Sequence, residues 1–433
     1  MASIQSFGGI GRALSHRYFR RYWYGMLVAT TGIWAYRVAL GWLVWELTKS
    51  PVWLGLVAFT EMVPMVIIGP IAGAYVDRKG VLRVGRLAQA AWALAVASLA
   101  AVTLSGEATK EILLIFAVLQ GCITGVSNPA HLSLVAKLVP PADLSPAIAL
   151  QSGTVQSGRF IGPALAGLIL QHYDTGLEPQ HYSTGLVFAL VAIGLIFFTI
   201  ILFTLRTIEP EKLSSSAKSL TGDFADGLRY AVGNFPIRTL IVYTAITSLL
   251  LRPAIELMPG FADVVFGRGA DGLAWLLAIF GIGSLASALW IAMRGETAGL
   301  SRVFSINLFI GAASLIAFTA TDNFWLAIVI VAVFGFSSTA VSICSQTLIQ
   351  HLVAGHMRAR VMGLLGVTFR GVPALGALIQ GWAASLFGIS VAVGVGAGLC
   401  LIVWLAFANI LRLHNRSGEM ERPEKNENTN QTS

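Results

Sequence analysis

Charge is what this sequence has least of. Only 12% of its 433 residues are Asp, Glu, Lys or Arg, against about 25% in a soluble domain. A surface so poor in charge excludes an ordinary soluble protein. Cysteine is nearly absent too. Cys122, Cys344 and Cys400 each fall inside an apolar segment, at no spacing suited to metal or redox work, and they read as small core residues. No glycine-rich loop ends in Lys-Ser or Lys-Thr, which argues against a nucleotide-driven pump. No histidines stand at metal-ligand spacing and no nucleophile constellation is present. Neither a catalytic residue, a metal nor a cofactor is therefore expected, and an integral-membrane enzyme is disfavoured. A cleavable signal peptide is missing as well. Arg12, Arg17, Arg20 and Arg21 precede an apolar run too long for one, with no small-residue cleavage site, so the first helix is expected to stay in the chain.

What remains is apolar. The composition is 56% hydrophobic, mean hydropathy is +0.75, and runs of about 20 apolar residues recur, as in a polytopic helical membrane protein. Twelve spans are expected, near 22–46, 53–75, 84–104, 112–136, 146–171, 185–206, 238–259, 272–293, 302–320, 324–349, 360–386 and 389–411. The net charge of +8 is then a matter of topology rather than of nucleic-acid binding. With both termini inside, 22 Lys and Arg fall on inward segments and three (Lys49, Lys110, Arg268) on outward loops. That bias predicts a multi-pass membrane protein with both termini cytoplasmic.

The longest polar stretch falls midway. It sets the expected organisation: a six-helix half over 1–206, a cytoplasmic linker with a surface helix over 207–237, a second six-helix half over 238–413 and a disordered tail over 414–433. The halves repeat. Leu119–Val139 lies over Val333–Val353 without a gap at a shift of 214, matching Gly121 to Gly335, Thr124 to Ser338 and Asn128 to Ser342. Two related six-helix halves imply a transporter with its site between them at midplane.

The motifs sharpen this. Gly73-Ala-Tyr-Val-Asp77-Arg78-Lys79-Gly80-Val-Leu-Arg83 joins two apolar segments as a tight basic turn, and Gly158-Arg-Phe-Ile-Gly162-Pro163-Ala-Leu-Ala-Gly167 lies in the fifth span. The first resembles the signature between the second and third helices of the major facilitator superfamily, the second the fifth-helix motif of that family's antiporters. Leu257–Ala262, Gly281-Ile-Gly283 and Arg358–Gly363 are similar to its bacterial efflux and secretion branch, which includes siderophore exporters. The resemblance implies an all-α fold of twelve transmembrane helices in two pseudo-symmetric bundles, working by alternating access. It makes Gly73, Asp77, Arg78, Gly80 and Arg83 an inner latch. Two departures stand out: Ala117 occupies the place of the family's fourth-helix Arg, and the second-half copy of the latch, at Arg294–Glu296, has no equivalent of Asp77.

A charge at the middle of a spanning helix costs roughly 2.5–3.5 kcal/mol, so each needs a reason. Arg37 and Arg252 are 215 positions apart and Arg159 and Arg370 are 211 apart, so the four form two pseudo-symmetry pairs. Similar depth predicts an Arg37–Glu61 pair, and Glu256, one turn beyond Arg252, is expected to partner that arginine. Two readings stay open. All six are structural pairs, or the arginines bind an anionic or polyoxygenated substrate while Glu61 or Glu256 carries the proton. An apolar setting favours a neutral carboxyl and an adjacent guanidinium favours the ion, so alternating pairing can drive proton uptake and release.

Gln120, Thr124, Asn128 and His131 form one polar stripe and Ser338, Ser342 and Ser345 another, read as cavity lining, with helix-to-helix glue as the alternative. Trp34 lies deep enough to touch substrate, whereas Trp45 and Trp53 read as interfacial belt residues. Pro129 and Pro253 should bend their helices. The glycines at 153, 158, 162 and 167 should permit a close neighbour. The expected function is proton-coupled efflux of a small organic molecule (a drug, a siderophore or another anionic metabolite) by a monomer whose partners are that substrate, protons and the bilayer. The alternatives are a lipid or lysolipid flippase and an importer or facilitator of the same fold.

Overall fold

The computed structural model describes residues 8–172, 181–206, 220–295 and 299–417. The expected linker over 207–219 and the tail beyond residue 417 lie outside the described residues, as does Glu296. No strand occurs among the described residues.

The chain order is α1 (Gly8–Ser15), α2 (Arg17–Thr48), α3 (Pro51–Lys79), α4 (Val81–Leu104), α5 (Lys110–Ala136), α6 (Leu144–His172), α7 (Tyr182–Thr204), α8 (Leu220–Gly233), α9 (Phe235–Leu250), α10 (Pro253–Glu256), α11 (Met258–Gly260), α12 (Gly269–Arg294), α13 (Leu300–Thr319), α14 (Phe324–Leu352), α15 (Arg358–Phe387) and α16 (Ile389–Ser417). Eleven described helical segments are long and apolar enough to cross a membrane. The twelfth expected span, α6, has the length at 29 residues but carries Gln151, Ser152, Thr154, Gln156, Ser157 and Arg159 along its first half. Of these Thr154 is buried and Ser152 exposed, and the helix packs on both α2 and α12.

Local chemistry sets the breaks. Pro51 opens α3 in the first turn, where its missing N–H costs nothing. The Thr109 side chain caps α5, and Asn323 Oδ1 accepts from the backbone N–H groups of Trp325 and Leu326 at the start of α14. Gly80, at φ 92°, turns α3 directly into α4, a conformation that suits glycine. Pro129 sits inside α5, which runs on unbroken. Pro253 ends its helix: α9 stops at Leu250, and the chain resumes as the single turns α10 and α11 and a π-helical turn over Phe261–Val265.

Packing is inside-out relative to a soluble protein. Ile67, Leu94, Ile193, Phe203, Met293 and Trp382 point outward, as suits a lipid solvent. Glycines bring helices close. A Cβ on Gly121 would strike the Glu61 carbonyl oxygen of α3, and one on Gly335, its partner under the 214 shift, would strike the Phe280 carbonyl oxygen of α12. Helices α3 and α15, and α6 and α12, form the long contacts between the first and second sets of spans.

The two ends differ. At the end bearing Lys49, Gly55 meets the Ala377 carbonyl, Gly381 meets that of Pro51, and Gly41 meets Pro259. At the basic end, Gly73, Gly153, Gly363 and Gly366 have open space at the Cβ position. There α1 is tied to the start of α6 by Arg12 Nε and His16 Nε2, 3.1 and 2.9 Å from the Asp143 carboxylate. These bonds, His16's first, hold Asp143 below its usual carboxylate range.

Candidate functional site

Arg37, well inside α2, reaches two carboxylates on two other elements. Its Nη2 donates to Glu256 Oε1 of α10 at 2.7 Å, and its Nη1 lies 3.9 Å from Glu61 Oε1 of α3. The expected Arg37–Glu61 ion pair is therefore present, but it is the longer of the two. Gln120 Nε2 of α5 also donates to Glu61 Oε1, at 3.4 Å. A small cavity of about 30 Å³ opens beside the three charges, walled by Leu40, Val44, Leu54 and Val57.

The expected Arg252–Glu256 pair is not formed. Arg252 instead donates to Ser342 Oγ at 2.7 Å and to the Phe369 carbonyl at 3.0 Å, with its guanidinium 5.1 Å from the Phe369 ring centre. The cause is Pro253. Without a proline N–H the four-residue ladder is interrupted, and the Ala254 and Ile255 N–H groups bond three residues back, to Leu251 and Arg252. Glu256 leaves the face it would share with Arg252 on a straight helix and turns to α2.

Arg159 of α6 has no acidic partner, as its sequence context implied. Its guanidinium carbon lies 5.2 Å from the Trp34 ring centre, and that of Arg37 lies 5.7 Å from the same ring. Two cations thus share one indole. Arg159 Nε is buried without a hydrogen-bond partner. The approach is made by glycine: a Cβ on Gly162 would come within 2.6 Å of Trp34 Cβ, and one on Gly158 within 3.2 Å of its ring. On the other side a Cβ on Gly281 of α12 would come within 2.6 Å of the Arg159 carbonyl oxygen, and one on Gly167 would strike Ala274, whereas one on Gly153 would meet nothing. Pro163 lies inside the unbroken α6. Arg370, midway along α15, is exposed.

The polar stripes divide. Asn128 Nδ2 contacts Met65 Sδ of α3, and Thr124 Oγ1 turns back to the Gln120 carbonyl. His131 leaves the stripe and packs inside the first bundle, stacked on Phe198 and near the Tyr22 hydroxyl. Ser338 and Ser342 line a second cavity with Arg252, while Ser345 is buried and donates to the Ser342 carbonyl. Of the turn Gly73–Arg83, Arg78 and Arg83 are exposed, and the Asp77 side chain lies outside the described residues.

One cluster escaped the sequence reading. Trp45, expected at the lipid interface, is 2% exposed. Its Nε1 donates to Asp263 Oδ2 at 2.7 Å, and Lys49 Nζ is 2.8 Å from the same oxygen. Burial raises the Asp263 carboxyl, but the bonds from Lys49 and Trp45 outweigh it and hold it below its usual range. Lys49 and Asp263 are 214 positions apart, the repeat shift itself, and that was the available signal. Among the described residues no group of three or more His, Cys, Asp or Glu could hold a metal ion.

A helical, strand-free membrane protein with charges gathered between its two sets of spans has the architecture of a secondary transporter. The chain belongs to the transmembrane secretion effector family of the major facilitator superfamily, whose profile matches residues 12–431. It is similar to the staphyloferrin A transporter of Staphylococcus aureus, 23% identical over 372 residues, 83% of this chain and 87% of the relative. It is likewise similar to the multidrug efflux pump Tap of Mycolicibacterium fortuitum, 24% identical over 364 residues, 81% of this chain and 85% of that one. Among solved structures the nucleoside transporter NupG shares the fold, with a TM-score of 0.68 at 15% identity over 91% of this chain and 99% of that one.

Proposed function

We propose that this transporter exports a small anionic or polyoxygenated organic molecule in exchange for protons, across a bacterial inner membrane with both termini cytoplasmic. The observation that carries the reading is one guanidinium between two carboxylates on different helices. When Glu61 takes a proton, Arg37 keeps its 2.7 Å bond to Glu256 and only the 3.9 Å contact is given up. Glu61 is therefore the residue free to titrate, and Glu256 the one that steadies Arg37. Loss of the Glu61 charge leaves Arg37 less neutralised beside Trp34 and Arg159, which changes the field that a bound anion feels.

Arg159 supplies the anion contact in this reading, having Trp34 on one side and no acid of its own. Arg370, Gln120, Thr124 and Asn128 complete the proposed lining. Gly73, Asp77, Arg78, Gly80 and Arg83 close the basic end in the opposite state of the cycle. The Lys49–Asp263 pair and the glycine contacts around it support a state closed at the outer end. Export rather than uptake is favoured by the secretion-effector family and by the similarity to a multidrug efflux pump.

The test uses everted vesicles with an acidified interior and an acridine dye as the pH reporter, challenged with citrate-type and catecholate siderophores and with cationic drugs. Substrates of the parent protein should release protons, and Glu61→Gln should abolish the release while still binding substrate. Full substrate-dependent proton release by Glu61→Gln would sink the reading.

A further inference from the structure

The second cavity lies in the wrong place for the transported molecule. It is small, about 20 Å³, the size of one ion or water, and is lined by α9, α13, α14 and α15 together with Leu251 and Arg252, with no residue of α2–α7 in its lining. Asn307 and Gly311 of α13 close its back. It sits inside the second bundle rather than between the two.

Its chemistry is unfinished. Thr244 Oγ1, Ser337 Oγ and Asn307 Oδ1 are each buried with no hydrogen-bond partner, on side chains 1%, 0% and 5% exposed. All three residues line this one space. Leaving a buried polar group unsatisfied is costly, so three together imply an occupant. The walls say which kind. Arg252 lines the space, it donates to a neutral hydroxyl and a carbonyl, and no carboxylate is among the lining residues. A cation would meet an arginine with nothing to offset the repulsion. A lone water would satisfy the hydroxyls but leave the arginine without a counter-charge. A hydroxyl donates as readily as it accepts, so Thr244, Ser248, Ser337 and Ser338 can turn their protons toward a negative ion. Asn307 Oδ1 is the exception, an acceptor that needs a water beside the ion.

The geometry points to a binding site for a small inorganic anion of halide size, chloride being the abundant case, held by Arg252 and the hydroxyls of Thr244, Ser337 and Ser338 and separate from the transported substrate. The ion is the counter-charge of Arg252, completes the interior of the second bundle and stabilises it.

The purified full-length protein in detergent tests this by binding of radiolabelled chloride and by thermal melting in chloride against gluconate at equal ionic strength. Chloride should bind saturably at one site and raise the melting temperature above that in gluconate. Arg252→Gln should weaken chloride binding by about tenfold or more, the worth of one charged hydrogen bond. Should that variant fail to fold, Thr244→Val and Ser337→Ala, which keep the volume, should each reduce chloride affinity severalfold. Equal melting in chloride and gluconate, with no saturable chloride binding, would overturn the site. So would full displacement of chloride by a transported siderophore or drug, because the pocket would then be a substrate subsite. Neither result bears on proton coupling at Glu61, which is read with a gradient and a different residue.

Discussion

Arg37 and Arg252 occupy matching positions 215 residues apart, yet the protein accommodates them in opposite ways. Arg37 has two carboxylates, drawn from α3 and from α10. Arg252 has a serine hydroxyl and a backbone carbonyl. The difference shows how a repeat can be put to two uses. Charges that can be gained and lost gather around the first arginine, which is where proton coupling can act. The second is bound only by groups that do not titrate near neutral pH, and so is suited to a fixed role.

The comparison breaks most sharply if the carboxylates go. The double variant Glu61→Gln, Glu256→Gln leaves Arg37 with no acidic partner. It should lose about 3–5 kcal/mol of stability, the cost of stripping the partners from a largely buried charge, read as a fall in melting temperature in detergent. A melting temperature equal to the parent's would mean the two carboxylates do not hold Arg37. A smaller loss is expected on the other side. Ser342→Ala removes one neutral acceptor of Arg252 and should cost about 1.5–3 kcal/mol by the same measurement, with proton-driven transport retained. If Ser342→Ala instead uncouples protons, the division of labour is wrong. The smallest effect concerns the scaffold that the two sites share. Gly121→Ala and Gly335→Ala each put a methyl against a carbonyl oxygen. The overpacking is worth about 1–3 kcal/mol, offset by up to about 1 kcal/mol of helix propensity. Both should cost about 1–2 kcal/mol and equally so. Unequal costs would show that the two contacts are not equivalent.

Much of this fold is written in the sequence, because a long apolar helix satisfies its own backbone in lipid and its ends are marked by charge, proline and glycine. Pro51, Gly80 and Asn323 fall where the helices stop and start. Arg37 and Arg252 are legible for the same reason, since each interrupts an apolar run. Partner choice is not legible. Spacing puts Glu256 one turn from Arg252, and only the break at Pro253 sends it to Arg37. His131 keeps helical register with Gln120 and Asn128, yet the bundle around Tyr22 and Phe198 claims it. Trp45 resembles its interfacial neighbours in every local respect. Its burial depends on Asp263, more than two hundred residues away in the chain.

That last contact carries a consequence for how such a chain can be assembled. Lys49 and Asp263 stand at equivalent places in the repeat and meet each other. Two identical copies joined in the same way would bring lysine to lysine, or aspartate to aspartate, and the end would be pushed apart rather than held. The seal therefore belongs to neither copy. It exists because the two copies carry opposite charges at that place, so a dimer built from either half alone should lack this ion pair.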